Sequence, residues 1–506
     1  MNPYLDTRYC DIRCTFQVID LTARADAAPI AVSNAEISQI NQTIDEVRKQ
    51  SVKVATIEHN NWVLDGISKP YGDYTQLQTG WWSKESSDDA GTINTYIEFV
   101  FDKPHSSYGL SLYFDDKANV FPIKFKVTAY DANGTIIAEH TKTNSDNSIV
   151  IIAQMYNYYK IRITFTKMNL PNRRARLTDI VFGIVEEFNS DNTKNLSINR
   201  EVDPASEAVP INEVDLTFNN SNGRYNMVSP DGAYKFLQTG MPLQVEVGVG
   251  PDRDSIEYEK MGVYYYVSSS SEDGSLTAKI TAQGMLMYLD RVDFPVSTGT
   301  TTTLAAVVGA ITAAVKQPIK FSVEPALQNI ELKNFEEGTE LKCRAALKEA
   351  CFALRAICYE DKNGVITIRR AAESPAKDTL TLGNMATVPR ISTKERINTA
   401  IVENKDILGK YEDIAENEIV QSKKINNSMI TAALANDAAK WMLENTRDLI
   451  FEIEGRGSPL HELTDTISVR DAFGTQRNVV ITKHVLKYDG GLSEDMRGIA
   501  KEDKAL

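Results

Sequence analysis

The segment YKIRITFTK, residues 159–167, alternates strictly. Ile161, Ile163 and Phe165 fall on one side, and Lys160, Arg162, Thr164 and Thr166 on the other. Successive side chains of an extended chain point to opposite faces, so this pattern suits a strand with one wet face and one packed face. The same alternation recurs in TYIEFVFD (95–102), YGLSLYFDD (108–116) and MPLQVEVGVG, where Leu243, Val245, Val247 and Val249 share a face. Asn133-Gly134 between two extended runs is a hairpin signal, and MGVYYYVSSSSEDGSLTAKITAQG reads as a second hairpin around Glu272-Asp273-Gly274. Many short strands with few helical windows predict antiparallel layers.

Helical periodicity appears only later. TTTLAAVVGAITAAV (301–315) carries threonines suited to cap a helix, and GTELKCRAALKEACFALRA (338–356) has Thr339 as its expected N-cap. A third helix is expected over 428–446, with Leu434, Ala438, Trp441 and Met442 on one stripe; Trp441 reads as core packing. Asn363-Gly364 ahead of VITIRR adds a turn and strand, which makes a small α+β unit of this region. The segment SNAEISQINQTIDEVRKQ has too little apolar periodicity for a helix.

Composition narrows the function. The chain has 506 residues, 42% of them hydrophobic and 25% charged, which is ordinary for globular domains and long enough for several. A net charge of −14 disfavours nucleic acid and anionic membrane surfaces as partners. There is no apolar run long enough to predict a transmembrane helix, and the first residues, MNPYLDTRYCDIRC, lack the pattern of a signal peptide. The five cysteines read as buried thiols: Cys10 and Cys14 on a strand, and Cys343, Cys351 and Cys358 on one helical stripe.

The search for catalytic chemistry returns little. His461-Glu462 begins an H-E-x-x-H pattern, but position 465 is Asp. There is no nucleophile elbow, phosphate loop or dinucleotide fingerprint. Asp88-Asp89 and Asp115-Asp116 read as solvated loops. One cluster stands out. Tyr71, Tyr74, Trp81 and Trp82 lie in sequence rich in Gly, Ser and Asp, and aromatic faces in exposed loops suit sugar rings. The competing reading has one tryptophan plugging the end of a sandwich, because Trp is usually mostly buried.

TIEHNNWVLDG, then GWWS, then IEFVFDKPHSSYGLSLYFDDKANVFPIKFKVTAYDANG, resembles the discoidin-like jelly rolls found within tail proteins of phages of Gram-positive bacteria. The matching positions are Asp65-Gly66, Trp82-Ser83, Phe114-Asp115 and Phe121-Pro122. The resemblance implies a carbohydrate-binding-like module and a calcium loop at Asp65. REVDPASEAVPINEVDLTFNNSNGRYNMVSPDGAYKFLQTGMPLQVEVGV, YEKMGVYYYVSS and the closing LKYDGGLSEDMRG resemble the baseplate hub (tail-tip) protein of phages and phage-tail-like bacteriocins. It implies a mainly β fold with α+β parts. Residues 1–55 plus 186–300 would form a split first hub β-barrel, 56–185 an inserted β-sandwich, 301–385 a small α+β domain, and 386–506 a second barrel with one helix. It further implies a non-enzymatic homotrimer, made in the bacterial cytoplasm and assembled into the virion or particle. There it would join a hexameric tail tube or distal tail protein to a trimeric spike among other baseplate components, with host cell-wall glycan as a ligand of the inserted module. The alternative is a cell-wall carbohydrate-active enzyme with an appended binding module.

Overall fold

The computed structural model describes the chain except residues 1–7, 46–48, 50, 60, 62–65, 67, 70–76, 230–231, 273, 373, 416–417, 471–472 and 502–506. The protein is mostly β. It divides into two compact units: residues 1–14, 188–223 and 242–506 form one, and 15–187 with 224–241 form the other.

The unit containing residues 15–187 is an antiparallel sandwich. Its main sheet runs, in spatial order, Ala28–Ala31, Thr92–Tyr113, Ser148–Met168, Pro122–Tyr130 and Ile136–Thr143, with Asp179–Val181 also paired to Thr92–Tyr113. Strands Trp81–Ser86 and Arg174–Leu177 make a small second sheet. The predicted face of 159–167 is realised: Ile161, Ile163 and Phe165 are fully buried. The hairpin at Asn133-Gly134 is present, with Gly134 at φ +78. The two strands expected over 95–116 are one strand, Thr92–Tyr113, whose register against Ser148–Met168 shifts four times. The pairing is interrupted at these shifts without ending the strand, so the two alternating runs continue as one.

The division of the chain falls elsewhere than the expected boundary at residue 56. Strand Ala28–Ala31 pairs with Thr92–Tyr113. The polar segment after it forms a short 3-10 helix, Ile40–Ile44, whose buried Gln42 side chain accepts N–H bonds from Thr79 and Gly80. Gln78 in turn donates to the carbonyls of Gln42 and Thr178. Polar residues without apolar periodicity are thus pinned by buried amide hydrogen bonds, which no hydrophobic pattern reveals.

In the other unit, two antiparallel groups of strands share one continuous sheet. Strands Pro242–Gly250, Glu257–Ser270, Thr277–Gln283, Glu213–Asn219 and Thr193–Glu201 follow one another; Thr193–Glu201 then pairs with Gln476–Tyr488, which leads to Leu492–Ala500, Leu449–Gly455 and Arg390–Thr393. Thr466–Arg470 also pairs with Gln476–Tyr488, and Asp378–Leu380 pairs with Thr466–Arg470. The Thr193–Glu201 and Gln476–Tyr488 ladder is the seam between the two groups.

The α+β part is larger than the sequence implies. Helices Leu304–Ala314 and Cys343–Leu354 share a core with helix Ala432–Glu444 and the small sheet of Thr399–Asn404, Ile407–Glu412 and Ser422–Asn426. Residues 399–444 therefore pack with the expected 301–385 domain, because the apolar stripe of Ala435, Ala438, Ala439 and Met442 is covered there. Thr303 caps the first helix, accepting from the N–H of Ala306. Thr339 does not cap the second, which begins at Cys343 after Lys342. That helix ends at Arg355, at φ +57, so Cys358 lies on strand Ala356–Glu360 rather than on the helical stripe; Cys343, Cys351 and Cys358 are all buried. Trp441 packs edge-on against Phe352, at 5.9 Å between ring centroids.

Candidate functional site

Gly80 sits at φ +68 directly before the tryptophan pair, and a Cβ there would lie 2.3 Å from the Leu177 carbonyl oxygen. Only glycine admits this approach, which tucks Trp81 and Trp82 against strand Arg174–Leu177. Trp81 is 0% exposed and Trp82 2%. The Trp81 ring packs against Phe165 at 5.5 Å and its Nε1 donates to the Ser33 carbonyl. Trp82 donates to the Thr79 carbonyl. Its ring face is covered by the Arg176 guanidinium at 3.6 Å. Neither indole offers a face to a sugar, so the structure corrects the expectation that Trp81 and Trp82 form a glycan platform. Tyr71, Tyr74 and the calcium-loop Asp65 lie outside the described residues.

Sequence reading missed what the tryptophans hold. Arg176 is fully buried and bridges Asp115 Oδ2 at 2.6 Å and Glu58 Oε2. Glu58 Oε1 accepts the Arg174 backbone N–H at 2.7 Å. Asp115 is therefore no solvated loop residue, although Asp116 beside it is exposed. The sequence held no local signal for this: R-A-R-L over Arg174–Leu177 alternates as a strand with one wet face does, which would turn Arg176 outward. Beside this triad lies a cavity of about 500 Å³ with Ile37, Ala55 and Trp82 among its walls. Asn34, Glu36, Lys84 and Arg174 supply its polar groups.

A second polar cluster stands at the seam of the other unit. Glu494 Oε2 accepts from His461 Nδ1 at 3.0 Å and from His484 Nε2 at 2.9 Å. His461 Nε2 donates to Asp378 Oδ2 at 3.1 Å. Arg200 Nη2 donates to His484 Nδ1 at 2.9 Å, and Nη1 of the same guanidinium meets Glu462 Oε1. Burial opposes the charge on His461, but the bonds to Asp378 and Glu494 outweigh it and raise its pKa to about 9. Burial lowers that of His484 to about 4 against the pull of Glu494. Burial also opposes the charge on Glu494, yet its two imidazole donors hold it well below the usual carboxylate range.

His461, His484 and Glu494 offer atoms within 4.8 Å of one another, which is metal-ligand spacing. The proton positions do not fit a metal. Arg200 can only donate, so His484 Nδ1 carries the lone pair and Nε2 carries the proton given to Glu494. A metal at Nε2 would need that lone pair and a proton on Nδ1, facing the guanidinium. The cluster is a hydrogen-bonded charge network linking both strand groups, and His461-Glu462 belongs to it.

One further carboxyl is perturbed. Glu360 is buried beneath Gly284, where a Cβ would lie 2.3 Å from Glu360 Oε2. Burial raises its pKa to about 7, partly offset by the N–H groups of Met285 and Leu286. It holds the start of the short helix Leu286–Leu289.

No protein-family model matches the sequence, and neither does any curated protein. Solved structures do. The 43 kDa tail protein of prophage MuSo2 from Shewanella oneidensis has 17% identity and a TM-score of 0.44, covering 62% of this chain and 94% of that one. The tail protein from Neisseria meningitidis MC58 has 14% identity and a TM-score of 0.48, covering 63% and 94%. Over a smaller part, the family 32 carbohydrate-binding module of C. perfringens NanJ, solved with galactose, has 13% identity and a TM-score of 0.22, covering 34% and 99%. The similar solved structures thus include tail proteins and, over about a third of this chain, lectin and carbohydrate-binding domains.

Proposed function

We propose that the chain is a structural hub at the tip of a phage tail or phage-tail-like particle, with no chemistry of its own. The observation that carries this reading is the seam between Thr193–Glu201 and Gln476–Tyr488, which joins two antiparallel strand groups into one sheet. A chain with two such groups gives six in a trimer, so a threefold assembly can meet a hexameric tube on one side and a trimeric spike on the other. The strongly perturbed groups at the seam support the same reading. His461, His484 and Glu494 are buried and bonded to one another and to neighbouring side chains, as suits a scaffold. The chain would assemble into the virion or particle after synthesis in the cytoplasm.

The deciding experiment is mass measurement of the purified full chain, followed by imaging of the tail tip. A stable trimer with three copies at one level is expected. A monomer, or six copies at that level, would sink the proposal.

The sandwich is proposed as the module that contacts the host surface. Its cavity beside Trp82 supports this, because Asn34, Glu36, Lys84 and Arg174 line it together with apolar residues, a mixture that suits a small-molecule site. Binding of purified cell-wall glycan should fall about tenfold in Lys84→Ala, with the melting temperature unchanged. Equal binding by both proteins would remove the glycan from the reading.

A further inference from the structure

The sandwich leaves one long strand edge open. Over residues 148–155, strand Ser148–Met168 pairs only with Thr92–Tyr113, from Ser148 opposite Tyr113 to Met155 opposite Ser107. Its second neighbour, Pro122–Tyr130, pairs only with residues from Lys160 to Met168. Among the described residues, 148–155 makes no other backbone hydrogen bond. In a ladder, alternate residues aim their N–H and C=O away from the paired strand, so this edge presents a row of free donors and acceptors.

Sheets ordinarily blunt such edges with short length, proline or charge. The other edges of this sheet do so. Ala28–Ala31 has four residues, one of them Pro29. Asp179–Val181 has three and begins with a carboxylate. Ile136–Thr143 carries Glu139 and Lys142. The segment 148–155, SIVIIAQM, has neither charge nor proline. Ile151, Ala153 and Met155 are buried, while Val150 and Ile152 between them stand nearly half exposed on the other face. We propose that this edge is a β-addition site, where an extended segment of another polypeptide, apolar at every second residue, adds a strand beside 148–155. The free row calls for amide partners at strand spacing, which a sugar or a small apolar molecule does not supply. Val150 and Ile152 call for apolar side chains on the same face of the incoming strand, as cross-strand pairs do within a sheet.

The test is titration calorimetry and hydrogen exchange of the full chain with the peptide acetyl-KTVTVTVTK-amide, and with the same peptide N-methylated through its central Thr-Val-Thr. The second peptide keeps every side chain but has no N–H on either edge at its centre. The expected result is slowed amide exchange within 148–155, and binding of the first peptide about tenfold tighter than the second. Ile152→Lys should weaken the first peptide about tenfold and leave the melting temperature unchanged, since the side chain reaches solvent. The peptide pair decides the matter even where that variant fails to fold. Equal binding of both peptides would overturn the proposal, leaving a bare apolar patch. No binding, or protection outside 148–155, would overturn it as well. Self-association of the full chain that slows exchange in 148–155 and is lost in Ile152→Lys would overturn it too, by giving the edge to a second copy of this chain.

Discussion

The two buried charge clusters are built on different cations. In the sandwich, Arg176 lies between Asp115 and Glu58 with its plane on Trp82. At the seam, His461 lies between Asp378 and Glu494, and a second imidazole, His484, relays Glu494 to Arg200. Guanidinium stays charged at every pH a protein survives, and its planar fork locks two carboxylates at once. Imidazole changes charge near neutrality. The first cluster is therefore a permanent clamp, and the second ties the joint between the strand groups to proton concentration.

The largest effect should come from breaking the clamp. Arg176→Met would leave Glu58 and Asp115 buried without their cation and strip the ring of Trp82, at a cost of about 3–5 kcal/mol. Urea denaturation of the full chain, with hydrogen exchange read in Arg174–Leu177, should show the loss within the sandwich. A loss under ~1 kcal/mol would mean that water compensates the pair and the clamp is no clamp.

The pH profile sharpens the contrast. His461 binds its proton more tightly folded than unfolded, so its contribution is complete below about pH 6.5 and is lost as pH rises from there through about 9. His484 resists protonation when folded, so its contribution is intact above about pH 6.5 and is lost as pH falls through about 4. Glu494, held below its ordinary value, adds to the loss at the acid end. Exchange of amides in Gln476–Ala500 should thus be slowest near pH 6.5, after correction for intrinsic rates, with each limb losing on the order of 3 kcal/mol. His484→Asn should flatten the acid limb and leave the alkaline one. An alkaline limb that also disappears would show that the network acts as one titrating group.

Smaller effects test local readings. Thr303→Ala removes the side-chain cap of helix Leu304–Ala314 and should cost about 1 kcal/mol in denaturant. Asp116→Ala, adjacent to the clamp but exposed, should change stability by less than ~0.5 kcal/mol. An equal loss for Asp116→Ala and Asp115→Ala would erase the distinction between clamp and loop.

The sandwich strands were legible because their signal is local. Ile161, Ile163 and Phe165 announce a packed face, and Asn133-Gly134 announces a turn. The candidate site was much less so. Trp81 and Trp82 stand in loop-like sequence, and nothing adjacent to them reveals that Arg176 arrives from almost a hundred residues away to cover one ring. His461-Glu462 shows only a broken motif in the sequence, because His461, His484 and Glu494 converge only once separate segments fold together.

By itself, the sequence determined segments whose signal is local, such as the strand face of Ile161, Ile163 and Phe165, the turn at Asn133-Gly134 and the helix capped by Thr303, since these depend on backbone sterics and on side-chain periodicity over a few residues. The tertiary structure alone decided which extended segments pair. The ladder of Thr193–Glu201 with Gln476–Tyr488 closes a loop of almost three hundred residues. Loop-closure entropy grows only with the logarithm of length, so no local feature marks a distant partner as better or worse than a near one. Fold-level packing chose it, and with it chose which charges are buried together.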